Sequence, residues 1–295
     1  MIKLGGFIIT YNRPEILLET IKQVFKQTVP LELLWIVDNS DNLKTDHAIA
    51  SLLDLRFKYF RMGYNAGPAG AAKKGLELCG EEDLDWIYWG NDNDPPQHPD
   101  TIEKLLSIKD DNPYCGVLGT AGHFFDHKKG EIKRIQSRLL ERKRSVEVEV
   151  IAGGMSMLVH KDVVNAGIFP NPDFFFGFEE LDFCLKAKRR GFTMQVHCGL
   201  FLALRAKHNR TDFERPFYKK KSNPVREYYS LRNLLYISDG LTLDAMKKRL
   251  IRKWVGKSVY GFRYGLVYGA KNFRYIFLAF LHYYKGIKGK TLSLD

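Results

Sequence analysis

The sequence lacks the long apolar segments and the cysteine pairs that mark membrane-spanning or secreted chains. Its amino-terminal apolar stretch is only six residues long before polar Thr10, and the longest later run, around 275–284, is too short to cross a bilayer. None of the four cysteines has CxxC spacing, so we expect reduced thiols in a cytoplasmic protein. These are Cys79, Cys115, Cys184 and Cys198. The glycine-rich loops GxGxxG and GxxxxGK[ST] are also absent, which excludes the nucleotide sites built on them.

Acidic residues are missing from the last part of the chain. Residues 247–294 contain 12 Lys or Arg and no Asp or Glu, whereas residues 1–246 carry 34 basic and 33 acidic residues. Nearly all of the net charge of +12 therefore lies in this segment, and such a charge favours an anionic partner. Hydrophobic residues make up 45% of the 295 positions and aromatics 13%, enough for one large or two small domains with a buried core.

The first 110 residues alternate between strand and helix patterns. Short β-branched apolar runs predict buried parallel strands, and apolar residues at helical spacing predict the helices between them. The predicted strands are 4–10, 33–37, 57–61 and 86–89, and the predicted helices are 13–27, 69–79 and 101–108. This order predicts an α/β fold with a doubly wound, mostly parallel sheet.

Beyond residue 110 the pattern is less regular. We predict strands at 116–120 and 146–151 around a charged hairpin or loop at 128–144, followed by helices near 162–165 and at 180–190. Helical patterns dominate after Asn209. The expected organisation is a sheet-based domain at 1–215, with halves at 1–115 and 116–215, and a helical, basic, aromatic region at 216–295.

Polar residues follow each of the first four predicted strands, at the sheet edge where open α/β folds bind ligands. They are Thr10-Tyr11-Asn12-Arg13, Asp38-Asn39-Ser40, Gly63-Tyr64-Asn65-Ala66-Gly67 and Gly90-Asn91-Asp92-Asn93-Asp94. Any one of these segments also has the composition of an ordinary turn, because Asn, Asp and Gly are the usual loop residues.

Asp92 and Asp94 carry the strongest chemical signal. They are one residue apart directly after an apolar strand, and two carboxylates so close repel unless a cation or a proton lies between them. Hard oxygen ligands suit Mg²⁺ or Mn²⁺, which complete their coordination with water and phosphate oxygens. A metal-bound diphosphate without a glycine-rich cradle points to a nucleotide-sugar.

Seven motifs, in order, resemble the inverting glycosyltransferases of family 2, which have the GT-A fold. They extend from Phe7 to about Asn233: IITYNRP, IVDNSDN, YNAGPAGAAKKGLE, WGNDND, IAGGMSMLVHKDVVNAGIF, FFGFEELDFCLKAKRRGF and YYSLRN. Within the family the sequence is similar to rhamnosyltransferase-like and galactofuranosyltransferase-like enzymes of bacterial cell-surface glycans. The resemblance implies a nucleotide-sugar-binding half at 1–115 and an acceptor and base half at 116–215.

The resemblance also implies roles for individual positions. Asp38 would accept the pyrimidine N3 hydrogen, Asp92 would contact sugar or ribose, and Asp94 would bind Mg²⁺ or Mn²⁺. The other nucleotide-sugar contacts are expected from Thr10, Tyr11, Asn12, Arg13, Asn65, Gly70 and Asn93, and the acceptor contacts from Gly153, Gly154 and Glu179.

The acidic segment 179–182 holds the expected general base. It follows the apolar run 174–178, and a carboxylate in such surroundings has a raised pKa suited to accepting a proton at neutral pH. The resemblance points to Glu180, where the family usually has Asp, with Asp182 in reserve. Helix capping is the alternative, because carboxylates are favoured at helix starts.

A histidine beyond the base is a further metal ligand in many family members. His208 lies 28 residues beyond Glu180 and His197 lies 17 beyond it. The apolar stretch before His208 looks like a strand and favours His208, although a lone histidine is often an ordinary surface or capping residue.

The expected reaction is metal-dependent inverting transfer of a galactofuranose, rhamnose or hexose from a UDP- or dTDP-sugar to a hydroxyl of a lipid-linked glycan. A noncatalytic nucleotide-sugar-binding subunit is the alternative. A nucleic-acid-binding protein is disfavoured, because the basic tail is rich in apolar groups and has no nucleic-acid motif.

The basic tail predicts an interfacial helix on the inner face of the cytoplasmic membrane, where it would meet anionic lipid. Its projected apolar face holds Ile251, Trp254, Val255, Val259, Phe262 and Leu266, and its basic face holds Arg249, Arg252, Lys253, Lys257 and Arg263. The alternative is an amphipathic helix packed on its own catalytic domain.

Overall fold

A computed structural model describes residues 2–50, 52, 54–152, 156–210 and 221–293 of the chain. Its first part alternates strands and helices as the sequence predicts, with one additional short helix, α2. The elements are β1 (Leu4–Thr10), α1 (Pro14–Phe25), β2 (Leu33–Asp38), α2 (Lys44–Ala50), β3 (Phe57–Arg61), α3 (Gly67–Gly80), β4 (Trp86–Asn91) and α4 (Thr101–Leu106).

The middle of the chain adds shorter strands and four helices. The elements are β5 (Cys115–Gly119), β6 (Gly122–Asp126), β7 (Glu131–Lys133), α5 (Ser137–Glu141), β8 (Ser145–Val148), β9 (Val150–Ile151), β10 (Met157–His160), α6 (Lys161–Asn165), α7 (Glu179–Arg189), β11 (Thr193–His197) and α8 (Cys198–Lys207). Three helices follow: α9 (Pro224–Gly240), α10 (Asp244–Tyr260) and α11 (Leu266–Tyr284).

One eight-stranded sheet, in the order β3-β2-β1-β4-β10-β5-β11-β8, forms the centre of the molecule. The first four strands are parallel, β10 is antiparallel to both β4 and β5, and β8 is antiparallel to β11. Thr10 pairs with Asp38, and Ile9 pairs with Asn91. The register therefore brings the carboxyl ends of β1, β2 and β4 to one edge, and the predicted mostly parallel α/β fold is confirmed.

Both faces of the sheet are covered by apolar packing. On β1, Phe7 and Ile9 point to the face covered by α3, whereas Ile8 points to the face covered by α1. All seven residues of β1 are buried, which explains why an unbroken apolar run and not an alternating one encodes this strand. The buried strand gives the polar residues that follow it a rigid base.

Three details of the middle region differ from the sequence-based expectations. The charged segment 128–144 contains β7, which pairs with β6, and the helix α5. The strand expected at 146–151 is split, because β8 joins the large sheet and β9 pairs with β6 in a small one. The stretch before His208 is not a strand but α8, whose ten residues are long enough for a helix.

The C-terminal helices pack on the sheet domain and on one another. The same apolar core that contains Phe7 also contains Tyr229 of α9, Trp254 of α10 and Phe280 of α11. The proposed boundary near residue 215 lies among residues outside those that the structure describes, so that boundary stays a prediction.

The face of α10 turned toward the protein is not the predicted one. Trp254, assigned above to the membrane face, is 1% exposed and packs in the core. Lys257, assigned to the solvated basic face, is buried and forms an ion pair with Glu227 at 2.5 Å. The alternative, a helix packed on its own protein, is confirmed for α10, because its buried side also carries Met246 and Leu250.

A second apolar surface stays exposed on the outside of α10 and α11. We call it the exposed stripe; its residues, each 40–79% exposed, are Val255, Val259, Phe262, Leu266, Val267, Phe273, Phe277, Leu281 and Tyr284. Phe273 stacks on Phe277 with ring centroids 4.4 Å apart, so part of the stripe is a continuous aromatic surface. Within the described ranges, no helix combines the length and apolarity needed to cross a bilayer.

Candidate functional site

A cavity of about 380 Å³ opens at the carboxyl ends of β1 and β4, within the usual size range of small-molecule sites. Thr10, Tyr11, Arg13, Asp92 and Asn93, from which nucleotide-sugar contacts are expected, line it. We call it the donor cavity. Larger cavities, of about 740, 540 and 460 Å³, also occur in the described part of the protein, that of 740 Å³ near the start of β4. We place the site in the donor cavity because open α/β folds bind ligands at the carboxyl ends of their strands, and the residues after β1 and β4 line this cavity.

Asp92 is fixed at the floor of the donor cavity. Its Oδ2 accepts a hydrogen bond from the Thr10 hydroxyl at 3.0 Å, and its Oδ1 lies 3.5 Å from the Arg13 guanidinium. Burial raises the pKa of Asp92, and the Thr10 hydrogen bond and the Arg13 charge oppose this shift. Because Asp92 is held from two sides, it can orient a ligand hydroxyl without moving.

Asp94 lies at the half-buried end of the same turn. Burial raises the pKa of Asp94, and the nearby charges of His208, Lys207 and Arg210 lower it. His208 ends α8, whereas His197 begins it and accepts a hydrogen bond from the Leu200 amide at 3.2 Å. The ten residues of α8 separate the two histidines by about 15 Å, so the helix brings His208 and not His197 toward Asp94.

These residues fit a divalent cation. Asp94 would supply a carboxylate oxygen, the ligand type that Mg²⁺ and Mn²⁺ prefer, and a cation would offset the cost of burying that carboxylate. His208 would supply an imidazole nitrogen, a ligand that transition metals accept more readily than Mg²⁺ does. No group of three His, Cys, Asp or Glu converges anywhere in the described part of the chain. The remaining ligands would therefore be water and phosphate oxygens, as is usual for Mg²⁺.

Asp38 lies behind the donor cavity and not on its surface. It is fully buried; its Oδ2 accepts the Tyr59 hydroxyl at 2.7 Å, and its Oδ1 accepts the Ser40 amide at 2.8 Å. The neighbouring Asn39 lines the cavity instead, although sequence reasoning assigned it no role. Selection of the base by Asp38 stays a prediction, and it requires the carboxylate to keep a free lone pair beside these two partners.

The turn after β3 contributes Asn65 and Gly67 to the cavity. The Asn65 side chain accepts a hydrogen bond from the Gly67 amide at 2.9 Å, which closes a local turn directly before α3. Gly67 has φ +69°, and a Cβ there would lie 2.1 Å from the Phe175 carbonyl oxygen. The expected role of Gly70 is corrected: it lies one turn further along α3, buried against Ala66, and does not line the donor cavity.

Asn12 completes the turn after β1 without lining the cavity as its neighbours do. It has φ +54°, its amide donates to the Ser40 hydroxyl at 2.8 Å, and its side chain accepts from Asn42 at 2.8 Å. Asn tolerates this left-handed conformation better than most residues. Asn12 therefore joins the turns after β1 and β2.

The loop before α7 is strained and held by a clamp from α9. Phe175 and Phe178 both have positive φ, an uncommon conformation for aromatic residues. The buried Asn233 amide donates to the carbonyl oxygens of Phe174, Phe176 and Gly177 at 3.1, 2.9 and 2.8 Å. The last residue of the YYSLRN motif thus fixes the segment that leads to the predicted base.

Two glutamates follow this loop at the start of α7. Burial raises the pKa of Glu180, which is half-buried. Burial raises the pKa of Glu179 strongly, and the charge of Glu180 adds to this. Among described atoms Glu179 Oε2 has no hydrogen-bond partner. A backbone hydrogen bond from Gly177 to the same carboxylate lowers its pKa and partly opposes the effect of burial. Both glutamates thus have the position at a helix start that the capping alternative predicts and the raised pKa that the base role predicts.

Asp182 has a different environment from Glu180. Its Oδ2 accepts the Asn171 amide at 2.8 Å and pairs with Lys186 at 2.6 Å, and its side chain faces another cavity. Two positions along a helix rotate a side chain by about 200°, so Asp182 points away from the direction of Glu180. Its reserve role as base is not supported, because both contacts are structural.

Several wall residues of the donor cavity were not predicted, and two predicted residues lie outside the described chain. Sequence reasoning missed Asn39, Gly67, Pro68, Phe175, Phe176, Arg226, Lys290 and Ser293. The first five lie inside the quoted motifs, which is the signal that would have found them; the last three have no such signal. Gly153 and Gly154, expected at the acceptor, fall among the residues that are not described.

The mostly parallel central sheet, with helices on both faces and a helical C-terminal region, has the GT-A fold found in nucleotide-sugar glycosyltransferases. The chain belongs to glycosyl transferase family 2, whose family model matches residues 7–164. No match was found among curated proteins. The narrower likeness to rhamnosyl- and galactofuranosyltransferases stays a prediction.

Solved structures share the fold at low sequence identity. The mannosyltransferase PcManGT from Pyrobaculum calidifontis, in complex with GDP-Man and Mn²⁺, has a TM-score of 0.53 and 12% identity, covering 99% of this chain and 76% of that one. TarS of S. aureus in complex with UDP has a TM-score of 0.53 and 14% identity, covering 99% and 94%. GalNAc-T7, with UDP, GalNAc and Mn²⁺, has a TM-score of 0.59 and 14% identity, covering 81% and 48%.

Proposed function

We propose that this protein is a metal-dependent inverting glycosyltransferase that moves a galactofuranose, rhamnose or hexose from a UDP- or dTDP-sugar to a hydroxyl of a lipid-linked cell-surface glycan. One observation carries the proposal. The donor cavity is lined by Thr10, Arg13 and Asp92 and also by Phe175 and Phe176, the residues that lead directly to Glu180. The predicted nucleotide-binding residues and the segment of the predicted base thus share one cavity.

In this proposal Glu180 is the general base. It accepts the proton of the acceptor hydroxyl while the oxygen attacks the anomeric carbon from the face opposite the leaving diphosphate, which inverts the configuration. Its raised pKa makes it a stronger proton acceptor than an exposed glutamate. A single displacement needs no covalent glycosyl intermediate, and its transition state resembles an oxocarbenium ion.

Asp94 and His208 would hold Mg²⁺ or Mn²⁺. The cation would supply charge neutralisation to the departing diphosphate. The solved structures of PcManGT and GalNAc-T7, which share this fold, contain Mn²⁺. Asp92, with its two fixed contacts, would orient a hydroxyl of the sugar or the ribose. Arg13, beside it, would lie near the diphosphate.

We further propose that the exposed stripe rests on the inner face of the cytoplasmic membrane, where the acceptor lipid would be anchored. The stripe presents aromatic and aliphatic groups, and exposed Arg263, Lys271 and Arg274 lie beside it along the chain. Interfacial helices combine such groups, because the apolar residues enter the headgroup boundary and the bases meet anionic lipid.

A donor screen tests the proposed reaction. The protein is incubated with UDP-, dTDP- and GDP-sugars, a polyprenyl-linked acceptor and Mn²⁺, and the released nucleotide is measured by mass spectrometry for wild type and for Glu180→Gln. We expect turnover with a UDP- or dTDP-sugar and its loss in the variant. Nucleotide binding without turnover for any donor would instead favour the noncatalytic subunit.

A further inference from the structure

Part of the donor cavity comes from the C-terminal region and not from the sheet. Arg226, in the first turn of α9, lines the cavity together with Lys290 and Ser293, which follow α11. These residues lie more than 130 positions beyond Asp92 in the sequence, and the family model ends at residue 164. The matched part of the chain therefore does not account for this wall.

The segment after α11 is fixed in place. We call residues 286–293 the C-terminal strap. The Tyr229 hydroxyl accepts the Thr291 and Leu292 amides at 3.1 and 2.9 Å, and Arg232 donates to the Gly289 carbonyl at 3.0 Å. The Gly289 amide in turn donates to the Asp173 carbonyl at 2.7 Å. Lys290 is thus carried by a segment tied on both sides to buried residues.

Arg226 and Lys290 are cations placed over aromatic rings of the cavity wall. The Arg226 guanidinium lies 5.5 Å from the Phe176 ring centroid, and the Lys290 ammonium lies 5.8 Å from that of Phe175. Throughout the described residues, neither of the two has an ion pair with a carboxylate, whereas the one carboxylate lining this cavity, Asp92, is paired with Arg13. Arg226 and Lys290 therefore leave positive charge in the cavity for an anionic ligand.

We propose that Arg226 and Lys290 bind the phosphate oxygens of the nucleoside diphosphate in the donor cavity, so that the C-terminal strap is part of the donor site. This inference rests on the proposed function for the identity of the ligand. Guanidinium and ammonium groups are the usual partners of phosphate oxygens. Both side chains are exposed, so we expect each to contribute about three- to tenfold in affinity, which is less than a buried hydrogen bond to a charged group contributes.

The test compares nucleoside diphosphates with nucleosides. Binding of UDP, dTDP and GDP, and of uridine, thymidine and guanosine, is measured by calorimetry for wild type, Arg226→Gln and Lys290→Gln. Lys285→Gln is the matched control, because Lys285 is an exposed base directly before the strap and does not line the cavity. We expect both cavity variants to weaken the diphosphate that binds wild type, and to leave its nucleoside unchanged. The control should leave both affinities unchanged.

Other outcomes separate this inference from the proposed reaction. Equal weakening of diphosphate and nucleoside would overturn the inference, because it would indicate a structural effect on the cavity. Unchanged diphosphate affinity with a raised KM for a phosphate-bearing acceptor would also overturn it, by assigning these cations to the acceptor. Charge-dependent diphosphate binding without sugar transfer would leave the inference standing and contradict the proposed reaction. Wild type that binds no diphosphate would overturn both.

Discussion

The Asn233 clamp predicts that a residue that does not itself line the donor cavity controls turnover. Replacing Asn233 with alanine removes the amide that donates to the carbonyl oxygens of Phe174, Phe176 and Gly177. The Phe174 carbonyl keeps a second donor, the Arg232 guanidinium at 3.1 Å. Two carbonyl groups next to the predicted base therefore lose the partner that fixes them.

The size of the effect follows from these contacts. A net protein hydrogen bond contributes about 0.5–1.5 kcal/mol, so two lost bonds cost about 1–3 kcal/mol. Left-handed conformations cost about 1–2 kcal/mol per residue outside glycine, and the loop contains two of them, at Phe175 and Phe178. Because the clamp and the strain are of similar size, removing the clamp should let the loop relax and displace Glu180.

The assay separates positioning from binding. A displacement of about 1 Å at a reacting group can lower the rate about 10²-fold, so we expect kcat of Asn233→Ala to fall by about that factor. The Kd for the nucleoside diphosphate should change little, because the sheet side of the cavity keeps Thr10 and Asp92. Thermal unfolding should detect the lost stability while the protein remains folded.

A second buried asparagine provides the control. Asn272 of α11 is also buried and donates to the Lys257 carbonyl at 3.0 Å, in contact with α10 and not with the loop before α7. Asn272→Ala should lower Tm but keep kcat of the folded protein with a water-soluble acceptor. If Asn233→Ala keeps wild-type kcat, or if both variants lose it equally, the clamp does not position the base.

Three further predictions follow from the site and the tail. Asp94→Ala should abolish turnover without unfolding the protein, and full turnover in excess EDTA would exclude the metal role. Glu180→Gln should lower kcat about 10²- to 10⁴-fold at similar donor affinity. Because burial raises the Glu180 pKa above its ordinary value of about 4.3, the acid limb of the kcat profile should lie above that pH, with activity lost as pH falls through it. Phe277→Ser should reduce cosedimentation with anionic liposomes, and recovery in the supernatant with every lipid and salt concentration would exclude the membrane proposal.

The sheet could be predicted from the sequence because its information is local. Three of the first four strands, β1, β2 and β4, are short apolar runs between turn residues, and the register then brings Thr10 and Asp92 together. The placement of other site residues depends on contacts between strands, which the sequence does not show. Asp38 ends β2 as Thr10 ends β1, yet the Asp38 carboxylate lies in the interior, where it accepts a hydrogen bond from Tyr59 on the neighbouring strand. That contact cannot be predicted from the spacing of residues along the chain.

The Asn233 clamp shows a second limit of prediction from the sequence. Asn233 acts on carbonyl groups 56–59 residues earlier, and backbone carbonyls have no sequence signature. The motif YYSLRN indicated that the position belongs to the family pattern, but not what it does. Similarly, the all-apolar start of α8 looked like a strand because periodicity cannot distinguish a short buried helix from a strand.

The tail illustrates why a helical projection does not identify the face that meets a membrane. The segment 246–266 has two apolar faces, and the projection merged Trp254, which is buried, with Val259, which is 63% exposed. The positive charge available to attract anionic lipid was also overestimated. Of the 12 basic residues between 247 and 294, four are in ion pairs: Lys247, Lys253, Lys257 and Lys288. Since each free base near an anionic surface contributes about 1 kcal/mol, these pairs weaken the electrostatic attraction by a few kcal/mol at most. The aromatic part of the exposed stripe adds to the attraction that the remaining bases supply, so binding should fall both in Phe277→Ser and with added salt.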